Sequence, residues 1–281
     1  MATLGPAQIR ELAAEVGLQP TKKLGQNFVI DPNTVRRIAA LAGVGPGDVV
    51  LEVGPGLGSL TLALLEAGAE VVAVEIDHRL ADHLPGTVER FAPEATTRLH
   101  SVCQDAVALE QLDPAPTKFV ANLPYNTGVP ILLNVLERFP SVESGLVMVQ
   151  MEVAQRLTAE PGSRVYGVPT VKAAWWAHTK LAGKVGTEVF WPAPNVQSGL
   201  VAFTRHQVER PDLREQTFAA IDAAFAQRRK MLRSALRNWA DPLPAAQVLE
   251  AAGIDPASRG EALTVEQFTG LASAKSDLLR A

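Results

Sequence analysis

The chain has 281 residues, of which 47% are hydrophobic and 20% charged, the usual proportions of a globular protein with one large or two modest domains. Its formal net charge of −4 argues against a nucleic-acid partner, because phosphate binding normally leaves a basic footprint. No apolar run reaches the roughly 18 residues that a membrane span requires, and the single cysteine, Cys103, excludes an internal disulfide and a cysteine-rich metal site.

The segment before the first predicted strand holds two features. Residues 1–17 lack the charged-then-apolar layout of a signal peptide, so we expect a cytoplasmic protein. Residues 22–28 read Lys22-Lys23-Leu24-Gly25-Gln26-Asn27-Phe28, and their polar side chains and glycine predict a loop in which Gln26 and Asn27 could reach a ligand. The five histidines are scattered without ligand spacing, and no metal site is expected.

A glycine-rich motif joins the first predicted strand to a helix. Residues 48–53 predict a buried strand of a parallel sheet, and residues 59–67 predict a helix that ends at Gly68. Between them lies Gly54-Pro55-Gly56-Leu57-Gly58, where glycines let a ligand approach the backbone and a helix N-terminus faces it. The alternatives are a tight turn without a ligand and a dinucleotide-binding unit, G-x-G-x-x-G. The third glycine comes one place early, at Gly58, and this spacing favours S-adenosylmethionine.

Acidic residues lie at or just beyond the ends of the next two predicted strands. Strand 70–76 includes Glu75, 21 residues after Gly54, where a carboxylate can accept hydrogen bonds from both ribose hydroxyls of either cofactor. The helical stretch that follows is predicted to break at Pro85-Gly86. After strand 98–102, Asp105 could accept from the adenine amine of the cofactor, although a loop aspartate is more often a turn former or a helix cap.

Asn122-Leu123-Pro124-Tyr125 follows the fourth predicted strand, 118–121, at the edge of the sheet where ligands of open α/β folds bind. An exocyclic adenine amine is a poor nucleophile because its lone pair is delocalised into the ring, and its two hydrogens need acceptors. The Asn122 amide oxygen and the Leu123 carbonyl, which Pro124 holds in an extended conformation, can both accept from such an amine. The Tyr125 ring can stack on the base. With the glycine motif, this turn indicates methylation of an amino group on a nucleic-acid base.

The remaining strand candidates are 145–151, 184–190 and 200–204, and their alternation with helices predicts an α/β fold with helices on both faces of a mostly parallel sheet. Residues 191–195 separate the last two strands and are too few for a helical crossover, so we expect an antiparallel final pair. Phe190-Trp191-Pro192 offers a second aromatic that could close over the base, or that could simply pack in the core.

Strand signals stop after about residue 208, and residues 213–281 predict amphipathic helices. Apolar residues recur there at helical spacing: Phe218, Ile221, Phe225, Leu232 and Leu236. We therefore expect two domains, a catalytic domain over 1–207 and a small all-helical domain over 208–281.

Positive charge concentrates in the second domain, in a ten-residue segment without an acidic residue. Its basic residues are Arg228, Arg229, Lys230, Arg233 and Arg237. On a continuous helix Arg229, Arg233 and Arg237 would share one face, which either is solvated or contacts RNA phosphates. The absence of counter-charges favours phosphate contact.

With these motifs assembled, the chain resembles the small-subunit (16S) ribosomal RNA adenine N6,N6-dimethyltransferases, the kasugamycin-sensitivity family. The resemblance covers most of the chain and includes the Gln-Asn-Phe segment, the glycine motif, Asn-Leu-Pro-Tyr, and residues 190–198 and 225–233. It implies the Rossmann-like fold of class I S-adenosylmethionine-dependent methyltransferases, with an N-terminal segment over the cofactor and a helical C-terminal domain.

The resemblance also implies roles for single residues. The cofactor site would be lined by Asn27, Val29, Gly54, Gly56, Glu75, Asp105 and Asn122. The target adenine would be held by Asn122, Leu123, Pro124 and Tyr125, with Phe190 as a second stacking partner. Two loops depart from the family's pattern, since Pro192-Ala193-Pro194-Asn195-Val196-Gln197-Ser198 replaces Pro-Pro-Pro-x-Val-Asp-Ser and Val168-Pro169 follows Tyr166-Gly167.

The implied activity is dimethylation of N6 of two adjacent adenosines near the 3′ end of 16S ribosomal RNA, within a 30S subunit or its precursor, by a monomer that needs neither metal nor membrane. The erythromycin-resistance methyltransferases, which modify large-subunit RNA, are the main alternative, but they tend to be strongly basic and lack the Arg-Arg-Lys segment. A non-catalytic RNA-binding protein of ribosome assembly is the other alternative. Intact Glu75, Asp105 and Asn122 count against it.

Overall fold

The computed structural model of the chain describes residues 3–18 and 27–281. The helices in these ranges are α1 Pro6–Glu15, α2 Pro32–Leu41, α3 Ser59–Glu66, α4 His78–Phe91, α5 Gly128–Arg138, α6 Met151–Leu157, α7 Val168–Trp176, α8 Arg214–Ala226, α9 Leu232–Ala235, α10 Arg237–Ala240, α11 Ala245–Ala251 and α12 Val265–Arg280. The strands are β1 Phe28–Val29, β2 Val49–Val53, β3 Glu70–Glu75, β4 Leu99–Cys103, β5 Lys118–Asn122, β6 Ser144–Gln150, β7 Ala177–Val185, β8 Phe190–Trp191 and β9 Ser198–Arg205.

In the described ranges, seven strands form one sheet with the order β4-β3-β2-β5-β6-β9-β7. Neighbours from β4 to β6 are parallel, whereas β9 is antiparallel to β6. From β2 the strand order runs outward through β3 and β4 on one side, and through β5 and β6 on the other. The order therefore reverses between β2 and β5, which opens a crevice at the carboxyl ends of these strands. The expected α/β class, a mostly parallel sheet with an antiparallel addition, is confirmed.

The central strands are apolar along almost their whole length. Residues 50–53, 71–74, 119–121 and 146–149 are all buried, the pattern of a parallel sheet covered on both faces by helices. The strands β1 and β8 form a separate short antiparallel ladder in which Phe28 pairs with Trp191 and Val29 with Phe190. No helix within 3–18 and 27–281 has both the length and the apolar character needed to cross a membrane.

The predicted helix break at Pro85-Gly86 is wrong, because α4 continues through both residues. Proline lacks the N–H that would bond the carbonyl four residues earlier, which is that of Ala81. Ser101 of β4 donates its hydroxyl to the Ala81 carbonyl at 3.1 Å and supplies the missing donor. The buried face of α4, which includes Leu80, Leu84 and Val88, outweighs the local cost of the proline.

The strand predicted at 184–190 is also wrong. Strand β7 ends at Val185, and a short 3-10 helix, Thr187–Val189, separates it from β8. Ile30 donates its backbone N–H to the Val189 carbonyl at 2.8 Å, so the residues after β7 pair with the N-terminal segment instead of extending the large sheet. The apolar run in the sequence therefore spans two elements with different partners.

The chain divides into two compact units, Met1–Gln155 with Thr179–Arg205, and Arg156–His178 with His206–Ala281. The sequence does not anticipate that α7 joins the second unit. Tyr166 donates its hydroxyl to the Leu263 carbonyl at 2.8 Å, and Val171 is buried in the same helical core as Ile221 and Phe268. The predicted domain boundary at 207/208 rests on where strand signals stop along the sequence. The contacts of Tyr166 and Val171 instead join residues that are far apart in sequence.

The continuous helix expected to carry the basic segment is not formed. Helix α8 ends at Ala226, and the chain turns through residues 227–230, where Lys230 donates its N–H to the Gln227 carbonyl at 2.8 Å. The segment then enters the short helices α9 and α10. Arg229, Arg233 and Arg237 therefore do not lie on one helical face.

Candidate functional site

A cavity of about 340 Å³ lies at the carboxyl ends of β2, β3 and β5. This is the crevice where the strand order reverses. Its walls are Asn27, Phe28, Val29, Glu52, Gly54, Pro55, Gly56, Leu57, Ser59, Leu60, Glu75, Ile76, Asp77, Leu80, Asn122, Leu123, Pro124 and Tyr125. The structure therefore brings together the N-terminal segment, the glycine motif, Glu75 and the Asn-Leu-Pro-Tyr turn.

The glycine motif forms the floor of this pocket. Gly54, Gly56 and Gly58 all have positive φ values, of 70°, 57° and 93°, which residues with a side chain rarely adopt. A Cβ added to Gly56 would lie 2.8 Å from Cε1 of Phe28. Ser59 donates its hydroxyl to the Val29 carbonyl at 2.7 Å, which also holds the N-terminal segment close to the motif.

Glu75 presents a preorganised carboxylate at the end of β3. One oxygen accepts from Gly56 N–H at 3.2 Å, and the other accepts from Ile76 and Asp77 N–H at 2.9 and 3.1 Å. Burial raises the pKa of Glu75, and these backbone donors partly offset the rise. The residue is 7% exposed and lines the pocket, so a ligand can reach it.

Glu52, one residue before the end of β2, is a second acid in the pocket wall and was not predicted as a site residue. It is 1% exposed, and its Oε2 accepts from the Thr61 hydroxyl at 2.6 Å. Burial raises the pKa of Glu52 to about 8. The sequence signal was its position directly before Val53-Gly54, but an acid inside an apolar strand gave no information on where its carboxyl group lies.

The Asn122 turn is fixed by two hydrogen bonds at its start. Asn122 donates its Nδ2 to the Asn27 carbonyl at 3.2 Å, and Leu123 donates its N–H to the Met148 carbonyl of β6 at 3.0 Å. Because the amino end of the Asn122 amide is engaged, the oxygen is the end left for a substrate amine. The Leu123 N–H forms this hydrogen bond with β6, whereas the Leu123 carbonyl takes no part in it.

Tyr125 lines the cavity next to this turn, and its Oη lies 3.1 Å from Ser198 Oγ. Burial raises the pKa of the Tyr125 phenol, and the hydrogen bond with Ser198 lowers it in part. The phenol therefore keeps its proton at neutral pH. The ring is half-buried, which leaves part of it available to a base.

Two expected site residues do not line the pocket. Asp105 caps the 3-10 helix Ala106–Ala108 by accepting from Val107 N–H at 2.9 Å. A helix cap was the alternative to cofactor binding that the sequence left open for this residue. Phe190 is 3% exposed and packs in the core, because its pairing with Val29 holds it inside the short ladder. Their contacts with cofactor and base stay predictions. The expected ligand contact of Gln26 and the basic pair Lys22-Lys23 lie outside the described residues.

Ile76 is a further residue that the sequence did not single out. This large apolar side chain is 64% exposed although it lines the cavity. It directly follows Glu75, so it offers apolar surface beside the carboxylate. The sequence shows neither the exposure of this isoleucine nor its position beside the pocket, and both follow from the fold.

The basic segment has one partnered and four exposed cations. Arg228 donates to Glu261 at 2.9 Å and to the Arg164 carbonyl at 2.7 Å, so an acid distant in sequence neutralises it. The other four are exposed, and within the described chain none of them forms a salt bridge: Arg229, Lys230, Arg233 and Arg237. We call these four the basic cluster. In the described residues no group of three or more acids, histidines or cysteines is arranged to hold a metal ion.

Comparisons with known proteins identify relatives of this chain. The family model described as ribosomal RNA adenine dimethylase matches residues 17–277. A protein of Leifsonia xyli subsp. xyli named ribosomal RNA small subunit methyltransferase A is 60% identical over 96% of this chain and 98% of its own length. A protein of the same name from Streptomyces griseus subsp. griseus is 60% identical over 99% of this chain and 97% of its own length.

Two solved structures of transferases have a similar fold. The dimethyladenosine transferase from Plasmodium falciparum matches with a TM-score of 0.73 and 22% identity, over 86% of this chain and 94% of that one. The 23S rRNA methyltransferase ErmE matches with a TM-score of 0.67 and 26% identity, over 89% of this chain and 100% of that one.

Proposed function

The chain belongs to the ribosomal RNA adenine dimethylase family and is an S-adenosylmethionine-dependent ribosomal RNA methyltransferase, and from this premise we propose its substrate and the roles of its residues. The substrate we propose is small-subunit RNA, in which N6 of two adjacent adenosines near the 3′ end is dimethylated. The observation that carries this proposal is the Asn122 turn beside the glycine-lined cavity. The 60% identity to small-subunit enzymes favours this substrate over large-subunit RNA.

The pocket fits S-adenosylmethionine by size and by chemistry. Its volume of about 340 Å³ is in the range of small-molecule sites, and Gly54 and Gly56 keep side chains out of its floor. The Glu75 carboxylate suits ribose hydroxyls, and the exposed Ile76 offers an apolar surface to a planar adenine. When bound, this cofactor supplies a methyl group on a sulfonium, an already activated electrophile.

Catalysis in this site is mainly the positioning of the target amine. The Asn122 amide oxygen and the Leu123 carbonyl accept the two hydrogens of the amine, which favours a tetrahedral nitrogen with a free lone pair. Tyr125 stacks on the base and sets its plane. Because Tyr125 stays protonated and Glu52 holds its proton up to about pH 8, neither serves as a strong base, and the amine proton leaves to water after transfer.

The basic cluster is the proposed RNA-contacting surface, with Arg228 holding the segment in place through Glu261. Exposed arginines and lysines that lack acidic partners suit phosphate groups. The partner would be a 30S subunit or its precursor, which places the enzyme in the cytoplasm, and we propose that it acts as a monomer.

The test is transfer of labelled methyl groups from S-adenosylmethionine to unmodified small subunits and, separately, to unmodified large subunits, followed by mapping of the labelled nucleotides. Two adjacent dimethylated adenosines near the 3′ end of small-subunit RNA are expected. Label confined to large-subunit RNA would assign the chain to the erythromycin-resistance activity instead. Absence of label in both would support the non-catalytic alternative.

An Asn122→Ala variant tests the mechanism in the same assay. Asn122 matters most as the target nitrogen rehybridises, so single-turnover methyl transfer should fall by about 10²-fold or more while cofactor affinity changes less. Wild-type rates in this variant would show that Asn122 has only its structural bond to Asn27.

A further inference from the structure

Tyr125, the proposed stacking partner of the target adenine, has a second partner within the protein. Its Oη lies 3.1 Å from Oγ of Ser198. Tyr125 lies in the turn after β5, Ser198 is the first residue of β9, and β6 lies between these strands in the sheet. The hydrogen bond therefore reaches across the carboxyl end of β6 and ties the turn to a strand two places away.

Ser198 is held firmly by its neighbours. It is 0% exposed and pairs in register with Gln150 of β6. The preceding carbonyl, of Gln197, accepts from Met151 N–H at 2.9 Å. The next residue, Gly199, lies so close to Ala154 that an added Cβ would clash with the Ala154 Cβ. The Ser198 hydroxyl is thus a fixed anchor point.

The hydrogen bond between Tyr125 and Ser198 has a physical reason on each side. A fully buried strand position usually takes an apolar residue, because a buried hydroxyl without a partner is unfavourable. Tyr125 supplies the partner of Ser198. For Tyr125, which lies on a turn, the side-chain torsions must be restricted before the ring can present one plane to a base, and the bond to Ser198 restricts them.

We propose that Ser198 is a positioning residue for methyl transfer, whose hydroxyl fixes the Tyr125 ring in the orientation that stacks on the target adenine. This inference rests on the proposed function, because it assumes that Tyr125 stacks on the base. It gives a role to the stretch 192–198, whose loop departs from the family's pattern but which ends in this serine. A ring free to turn would leave the amine misaligned with the methyl group, so the cost falls on transfer.

The experiment compares Ser198→Ala, Tyr125→Phe and the double variant in single-turnover methyl transfer to unmodified small subunits at saturating S-adenosylmethionine. Each single variant should lower the rate by about 5- to 10-fold, because alignment of reacting groups is lost. The double variant should be no slower than either single one, since all three lack the same hydrogen bond. Cofactor affinity should change by less than about twofold, because Ser198 does not line the cavity.

Two further measurements separate positioning from loss of stability. Val201→Ala changes another fully buried side chain of β9 and should keep the wild-type transfer rate at equal folded protein. With 2-aminopurine at the target position, stacking on Tyr125 quenches fluorescence in the wild type, and Ser198→Ala should quench less. If Ser198→Ala fails to fold, Tyr125→Phe tests the same bond while it keeps the ring.

A wild-type rate in folded Ser198→Ala, or in Tyr125→Phe, would overturn the inference, as would a double variant whose loss equals the product of the single losses. Failure of the proposed function is distinguishable. In that case the wild type itself would not label small-subunit RNA, whereas failure of this inference alone leaves wild-type labelling intact.

Discussion

Glu52 and Glu75 line the same pocket but are held by different donors. Glu75 accepts three backbone N–H groups, which favour the charged carboxylate, whereas Glu52 accepts one hydroxyl, from Thr61. Burial raises the pKa of both groups, to about 8 for Glu52. The same crevice therefore contains a carboxylate suited to accept from ribose hydroxyls and a carboxyl group that stays protonated near neutral pH.

For Glu75 we expect that Glu75→Ala folds normally and weakens S-adenosylmethionine binding by roughly 1–3 kcal/mol, the cost of losing charge-assisted hydrogen bonds. Isothermal calorimetry gives this value directly. Glu70→Ala is the matched control, because Glu70 begins the same strand, pairs with His100 and does not line the cavity. Equal affinities of Glu75→Ala and wild type, or tight NAD binding by wild type, would contradict the assignment.

For Glu52 the expected effect is on stability as a function of pH. Its pKa rises on folding from 4.5 to about 8, so the stabilisation from the protonated form is complete below about 4.5 and is lost as pH rises to about 8. The cofactor-free wild type should therefore lose stability relative to Glu52→Gln across this window. Denaturant unfolding of both proteins at a series of pH values measures the difference. A difference independent of pH would mean that Glu52 ionises normally in the folded protein.

At the scale of elements, α4 shows how a contact from another element permits a residue that local rules disfavour. The Ala81 carbonyl lacks a helical donor because Pro85 has no N–H, and Ser101 of β4 replaces it. The strand therefore contributes a hydrogen bond to the helix packed beside it. This makes the energetic effects of Pro85 and Ser101 dependent on each other.

We expect Ser101→Ala to destabilise the wild type by about 1 kcal/mol, because it leaves the Ala81 carbonyl without its side-chain donor. In a Pro85→Ala background the new backbone N–H supplies that donor, and Ser101→Ala should cost clearly less. Free energies of unfolding for the four proteins give the coupling. Additive effects would show that Ser101 does not compensate for Pro85.

The elements also show what the sequence could and could not predict. Strands 49–53, 70–75, 118–122 and 144–150 were predictable because each contains a short apolar run, and parallel strands place their carboxyl ends at one edge. That is why the glycine motif, Glu75 and the Asn122 turn meet. The fates of Phe190 and Glu52 were not predictable, because they depend on pairing with β1 and on burial against α3.

At the scale of the whole molecule, the average charge hides a local one. The net charge of −4 comes from 26 basic and 30 acidic residues, yet the basic cluster lacks ion-pair partners in the described chain. The sequence correctly located the excess of positive charge but not its geometry, because the helix ends at Ala226 and Glu261 neutralises Arg228. RNA contact through this cluster needs exposure and charge, and both are present without a shared helical face.

If three arginines of the cluster each contact one phosphate, their loss should flatten the dependence of binding on salt. Each phosphate neutralised contributes somewhat under one unit to the slope of log affinity against log salt. The variant Arg229→Gln, Arg233→Gln, Arg237→Gln should therefore reduce that slope by about two units and weaken binding to small subunits. Filter binding across a salt series measures the slope, and calorimetry should show unchanged cofactor affinity.

A matched control separates contact from total charge, because removing any three arginines makes an acidic protein more acidic. Arg36, Arg90 and Arg210 are exposed but already paired with Glu66, Glu11 and Asp212. Their replacement by glutamine removes the same charge, yet it should leave the salt slope nearly unchanged, because few counterions are displaced where an acid already neutralises the arginine. Equal slopes in the two triple variants would mean that the basic cluster is only solvated and that RNA docks on another surface.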